Sequence, residues 1–164
     1  MQMPRGPLPL LSASFFALCA LCAAPAQAKE LAGRFGFGIS NLGPSLTPSL
    51  SVDWQLSSGS AVEFLMSIDS GEEDSHFEVG ARLERNLFIE EAQHFFLYVG
   101  GGLAQRQAGG TSESGYRLEG GAGSKFFFTE MPNLGLGFGG GFLLSSGGGA
   151  RFGSRVFVSA HYYF

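Results

Sequence analysis

Few side chains in this sequence are disposed for chemistry. The best-spaced pair is Ser159 and His161, on either side of Ala160, where a hydroxyl nucleophile and an imidazole base would share one face of a strand. Such a pair works only with a third group that orients the imidazole. His76 is expected at one rim of the molecule and His94 at the other, so the three histidines do not gather, and packing is the preferred reading of Ser159 and His161. No Gly-x-Ser-x-Gly elbow is present, because Gly139-Gly140-Gly141 and Gly147-Gly148-Gly149 hold no serine. The glycine runs are not followed by Gly-Lys-Ser/Thr or by a helix, which excludes a phosphate-cradling loop. Asp69 to Asp74 concentrates carboxylates that could ligate calcium. It lacks the spaced ligands and closing glutamate of an EF-hand and reads as a solvated loop. No catalytic residue, metal site or cofactor is expected.

The charges are more informative in their placement than in their number. Arg82 and Glu84 share parity with Glu78, and Arg117 and Glu119 share parity with Lys125. In an extended chain each set lies on one face, opposite a face rich in phenylalanine, leucine and valine. Arg34, Asp53, Glu63 and Arg155 stand in the same relation to their apolar neighbours. Both signs occur, and in numbers that suit mutual pairing better than an idle solvated face.

The elements that would position these charges come after residue 28. Met1 to Ala28 carries Arg5, an apolar stretch from Leu8 to Ala24, and the small-x-small box Ala26-Gln27-Ala28, the pattern of a cleaved export signal. Its apolar core is short for a membrane-spanning helix of about 20 residues. Leu18 and Leu21 precede the two cysteines, Cys19 and Cys22, where lipoprotein processing requires a small residue. The domain organisation is therefore a signal peptide, 1–28, and one domain of 136 residues, 29–164. That domain has no cysteine, so neither disulfides nor thiolate metal sites hold it together. Arg5 is the only charged residue in the signal, which leaves nine basic against fourteen acidic side chains, a net charge of −5. Such a balance, with no basic run, excludes nucleic acid as a partner.

Period-two alternation recurs eight times: Leu31–Ser40, Ser49–Gln55, Ala61–Asp69, His76–Glu84, His94–Gln105, Tyr116–Phe127, Leu134–Phe142 and a closing strand from Phe152 to Phe164. Leu87 and Ile89 are candidates to extend the fourth. In the fifth, Phe95, Leu97 and Val99 alternate with Phe96 and Tyr98, so its two faces cannot be told apart. The expected connections at one end are Asn41–Pro48, Ser70–Ser75, Arg106–Gly115 and Ser145–Ala150. No run of about 18 apolar residues follows Ala28, so any membrane crossing must be made by strands closed into a barrel. The soluble alternative is a lipocalin-like barrel or a β-sandwich, with the apolar face turned inward. The mixed charges of the second face and the export signal favour the membrane form. The fold class expected is all-β: an eight-stranded antiparallel up-and-down transmembrane β-barrel. The ten residues named above would then meet inside a narrow lumen as an ion-pair network. Inward glycines in segments five to seven would leave room for them and for Phe96, Tyr98, Phe127 and Phe157.

The closing strand supplies the family likeness. Val156, Val158, Ala160, Tyr162 and Phe164 form one apolar face, and the chain stops on the last of them. An alternating strand with a C-terminal phenylalanine and a tyrosine two places before it resembles the last strand of bacterial outer-membrane barrels. The whole domain is similar in pattern to the small eight-stranded barrels of the OmpA/OmpX type. That resemblance implies location in the outer membrane and outer-membrane lipid as the surroundings. It implies further that the barrel assembly machinery reads those five residues, and that the protein is a monomer with a structural or surface-interaction role. Strands that protrude from the membrane, as in OmpX-type proteins, are not expected in so short a chain. A narrow pore is the alternative. Some barrels of this size are lipid A enzymes with a His-x-Ser arrangement near the outer leaflet. Here the order is reversed, at the periplasmic end, so no enzyme is expected. Trp54, Tyr162 and Phe164 read as part of an aromatic girdle.

Overall fold

The computed structural model describes residues 31–42, 47–70, 74–147 and 149–164. The signal segment 1–28 and residues 71–73 of the acidic loop lie outside them. The described chain folds into eight strands: β1 (Phe35–Leu42), β2 (Thr47–Ser57), β3 (Ser60–Ser70), β4 (Asp74–Ile89), β5 (Gln93–Ala108), β6 (Thr111–Phe127), β7 (Leu134–Ser145) and β8 (Arg151–Tyr163). Each pairs antiparallel with its sequence neighbours, and β8 returns to β1, so the sheet is a closed up-and-down barrel. Closure gives every strand two neighbours, which limits the exposed edges that are the usual hazard of an all-strand protein.

Burial alternates as the period-two pattern requires. On β2, Ser51, Asp53 and Gln55 are buried while Leu50, Trp54 and Leu56 are exposed. On β8, Arg155, Phe157, Ser159, His161 and Tyr163 are buried while Val156, Val158, Tyr162 and Phe164 are exposed. The distribution is inverted relative to a soluble fold, with polar side chains inside and apolar ones outside. The faces of the fifth segment are decided as well. His94, Phe96 and Tyr98 point inward, and Phe95, Leu97 and Val99 point outward.

Two sequence expectations are corrected. Arg106–Gly115 is not a loop: β5 runs to Ala108 and β6 starts at Thr111, paired through Arg106↔Glu113 and Ala108↔Thr111. Only Gly109 and Gly110 form the turn, with φ of 55° and 80°. Positive φ at both central residues suits the twist of a two-residue hairpin and favours glycine. The polar sequence hid this pairing because backbone bonding does not depend on an apolar face. Second, β4, β5 and β6 are 16, 16 and 17 residues long, well beyond the 9–11 that cross a bilayer when tilted. The β5–β6 hairpin therefore rises past the last rung between β6 and β7, Arg117↔Ser145, so strands longer than expected of so short a chain stand above the rest of the wall. The extension of the fourth strand that Leu87 and Ile89 offered is present: β4 runs through Leu87, Phe88 and Ile89. A bulge between Asn86 and Phe88 breaks the period there, which is why the sequence left that stretch ambiguous.

Candidate functional site

The register places the expected charges in one row. Running round the wall, Tyr163 faces Gly36, then Asp53, Glu63, Arg82, Gly100 and Glu119. Directly opposed residues are about 5 Å apart, and the next strand lies about as far again. A side chain reaches over an intervening strand only where that strand carries no side chain. Gly100 serves this need for Arg82, whose Nε donates to Glu119 Oε1 at 2.6 Å. A Cβ on Gly100 would lie 2.9 Å from Arg82 Cγ and 2.7 Å from the Ala81 carbonyl. Gly36 does the same for Tyr163, whose hydroxyl donates to Asp53 Oδ2 at 2.7 Å.

Two clusters result. Nearer the mouth with the long hairpin, Arg82 Nη1 donates to Glu63 at 2.8 Å, and Glu119 gathers Arg82, Arg155 and, at 3.9 Å, Arg117. Arg117 is paired in turn with Glu78. Nearer the C-terminal end, Lys125 Nζ bridges Asp53 and Glu84 at 2.5 Å each, and Gln55 Nε2 donates to both oxygens of Asp53 at 3.2 Å. The buried rings of Phe96, Tyr98 and Phe157 pack against both clusters. The Arg82 guanidinium carbon is 4.7 Å from the centre of Phe157, and Lys125 Nζ is 5.3 Å from that of Phe96. Cations over aromatic faces gain electrostatic stabilisation that strengthens when water is excluded. These charges are deeply buried: Asp53 is 0%, and Arg82, Glu63 and Glu84 are each 1% exposed.

Of the residues expected in this network, Asp53, Glu63, Glu78, Arg82, Glu84, Arg117, Glu119, Lys125 and Arg155 lie inside, five acids against four bases. Arg34 does not join them. It precedes β1, is half-buried, and takes no part in the ion pairs among the described residues. The reason is local: the chain turns at Leu31–Arg34, where the Arg34 amide bonds Leu31 and the Gly33 amide bonds Gln55, before the barrel wall begins. Tyr163 and Gln55 belong to the network and were missed, although both share parity with the charges on their strands. Val156, Val158, Tyr162 and Phe164 project outward, and Ala160 lies half-buried between them.

His161 is bonded to Ser51 and not to Ser159. Ser51 Oγ is 2.7 Å and Glu63 Oε1 is 3.5 Å from the same ring nitrogen, Nε2. A nucleophile relay needs the serine on one nitrogen and the acid on the other. Ser51 is also buried at 3% exposure, so its hydroxyl faces no space for a substrate. Ser51, Glu63 and His161 thus reproduce the residue types of a triad without its geometry. They meet because Gly38 leaves the row between Ser51 and His161 empty. His94, at the C-terminal rim, packs against Phe127 at 5.0 Å between ring centres, and His76, at the opposite mouth, lies 3.3 Å from Glu78.

Fold and interior together define a class: a closed eight-stranded antiparallel barrel with an apolar exterior and an ion-paired, side-chain-filled lumen. No family model matches the chain, and no curated protein matches it. Among solved structures the chain is similar to Ail, the attachment invasion locus protein of Yersinia pestis, at 19% identity over 80% of this chain and 95% of that one, with a TM-score of 0.39. A likeness of that degree leaves the barrel's own geometry as the ground for reading its role.

Proposed function

We propose that the protein is a monomeric bacterial outer-membrane β-barrel with a plugged interior, serving a structural or surface-interaction role. The observation that carries this reading is the inversion of polarity across the wall. Phe152, Val158, Leu103 and Phe142 are 73%, 67%, 65% and 64% exposed, whereas Arg82, Glu63 and Asp53 are at 1% or below. An apolar surface running round the barrel far exceeds the few hundred Å² that soluble monomers tolerate, and lipid satisfies it. Pairing of each strand with both neighbours also meets most of the demand that backbone groups in hydrocarbon be bonded internally. In this orientation the rim that holds His94 and Tyr163 is periplasmic, and the barrel assembly machinery recognises the face of β8 that carries Val156, Val158, Ala160 and Tyr162, together with Phe164. The β5–β6 hairpin then stands above the outer leaflet. Its outer surface is polar, with Gln105, Gln107, Ser112 and Ser114 exposed, which suits a surface contact better than burial in lipid.

A pore is the weaker reading: Asp53, Glu63, Arg82 and Glu84 are at 0–1% exposure, which supports a lumen filled by side chains. A lipid-modifying enzyme is weaker still, given the geometry at His161. The test is membrane fractionation combined with electrophoresis before and after boiling. Sedimentation with outer membranes and a heat-dependent shift in mobility are expected. Recovery of the mature chain as a soluble periplasmic monomer would overturn the proposal.

A further inference from the structure

The junction that closes the barrel is the shortest among the described residues. Among the described residues, β1 and β8 pair only from Gly36↔Tyr163 to Ser40↔Ser159, although β8 continues to Arg151. At the end of this ladder Asn41 takes over with its side chain. Its Oδ1 accepts from the Val158 amide at 2.7 Å, and its Nδ2 donates to the Val156 carbonyl at 3.1 Å. One donor and one acceptor, addressed to residues on either side of Phe157, are what a backbone residue of a parallel strand would offer. The carboxamide therefore stands in for a missing strand residue. The Asn41 carbonyl also accepts from Arg155 Nη2, so the same residue ties the seam to the charged lumen. Asn41 is 8% exposed and both ends of its amide are occupied.

The outer side of this joint is a groove of about 270 Å³ between Ile39, Pro48, Leu136, Val158 and Ala160, and its lining reaches Ser40, Asn41 and Ser159. Its inner side is formed by Ser40, Ser159 and Arg155, all buried. At this level a side chain, not a ladder, separates the apolar exterior from the lumen. Local opening free energies are lowest where few backbone bonds hold an element.

We propose that Asn41 is a side-chain latch that closes the β1–β8 seam in place of strand pairing, and that this seam is the joint at which the barrel opens sideways toward lipid. The second half rests on the outer-membrane reading above; the first does not. Amide hydrogen exchange tests the latch in detergent micelles and in lipid nanodiscs. Because the Val158 amide faces β1, those of Phe157 and Ser159 face β7 and serve as internal controls. Asn41→Ala is expected to speed exchange at Val158 at least tenfold, with Phe157, Ser159 and Phe164 unchanged. Asn41→Asp, which keeps the acceptor, is expected to hold Val158 near the wild-type rate, and it guards against a folding defect in the alanine variant. In nanodiscs with nitroxide-labelled lipid, Asn41→Ala is expected to enhance relaxation at Ser40 and Ser159 at least twofold, with Gly100 on the far wall unaffected. Equal acceleration at all four β8 amides, or no change at Val158, would overturn the latch. Faster exchange at Val158 without lipid contact at Ser40 and Ser159 would overturn the sideways opening. A protein that exchanges as expected in micelles but does not enter nanodiscs would overturn the membrane reading and leave the latch standing.

Discussion

Arg82 is the side chain on which the plugged lumen depends most, and replacing it separates a dry interior from a wet one. It is 1% exposed, donates to Glu63 at 2.8 Å and to Glu119 at 2.6 Å, and lies over Phe157. Arg82→Met keeps much of the aliphatic stem against the ring and removes the charge. Glu119 retains Arg155, whereas Glu63 retains only His161 at 3.5 Å. Breaking a buried ion pair costs about 3–5 kcal/mol because the orphaned charge stays desolvated. One carboxylate is orphaned and the other merely loses a second partner, so the loss is expected within about 3–5 kcal/mol and not at twice that. Adding Glu63→Gln removes the orphan and is expected to restore at least half of the loss, a non-additivity that marks directly interacting residues. Urea unfolding of the detergent-refolded barrel measures both, read through the fluorescence of Trp54, the sole tryptophan, which stacks on Phe35 on the outer wall. A single variant within about 1 kcal/mol of wild type would mean that water screens Arg82. The argument for a plugged lumen would then fail.

Three other outcomes follow from the same geometry. Planar-bilayer recordings of the wild-type protein are expected to show no steady open channel; a stable ohmic conductance would establish a pore. Gly123→Val places a branched side chain where even a Cβ would come within 2.7 Å of Phe96 Cζ and 2.8 Å of the Phe138 carbonyl. Thermal or urea unfolding is expected to register a loss of about 1–3 kcal/mol, the usual cost of overpacking. Deleting Phe164 removes one amide bond to Phe35 and edge contacts with Phe37 and Tyr162. Outer-membrane yield in cells is expected to fall severalfold while refolding into detergent stays nearly intact, and equal losses in both settings would refute a role in assembly.

The number of strands and the faces of most of them were legible in the sequence, because side-chain alternation is a local property of an extended chain. Phe35, Phe37 and Ile39 against Gly36, Gly38 and Ser40 need no partner strand to be sorted. The glycine content of β7, the inward parity of Arg82, Glu84, Arg117 and Glu119, and the aromatic end of β8 belong to the same level. Alternation failed where its physical basis was absent. His94–Val99 is apolar on both faces, Arg106–Gly115 is polar on both, and Asn86–Phe88 carries a bulge that shifts the parity. Which charges meet was decided only by register. Lys125 reaches Asp53 across 72 positions, Tyr163 reaches the same carboxylate across 110, and Ser51 meets His161 across another 110. No local pattern encodes such distances. They follow from the sum of strand offsets round a closed sheet, and a one-residue slip in any of them would turn a whole face of charge outward. The same closure brings Asn41 to the backbone of β8, 117 positions away at Val158, whereas Arg34 is kept out of the network by the local turn before β1.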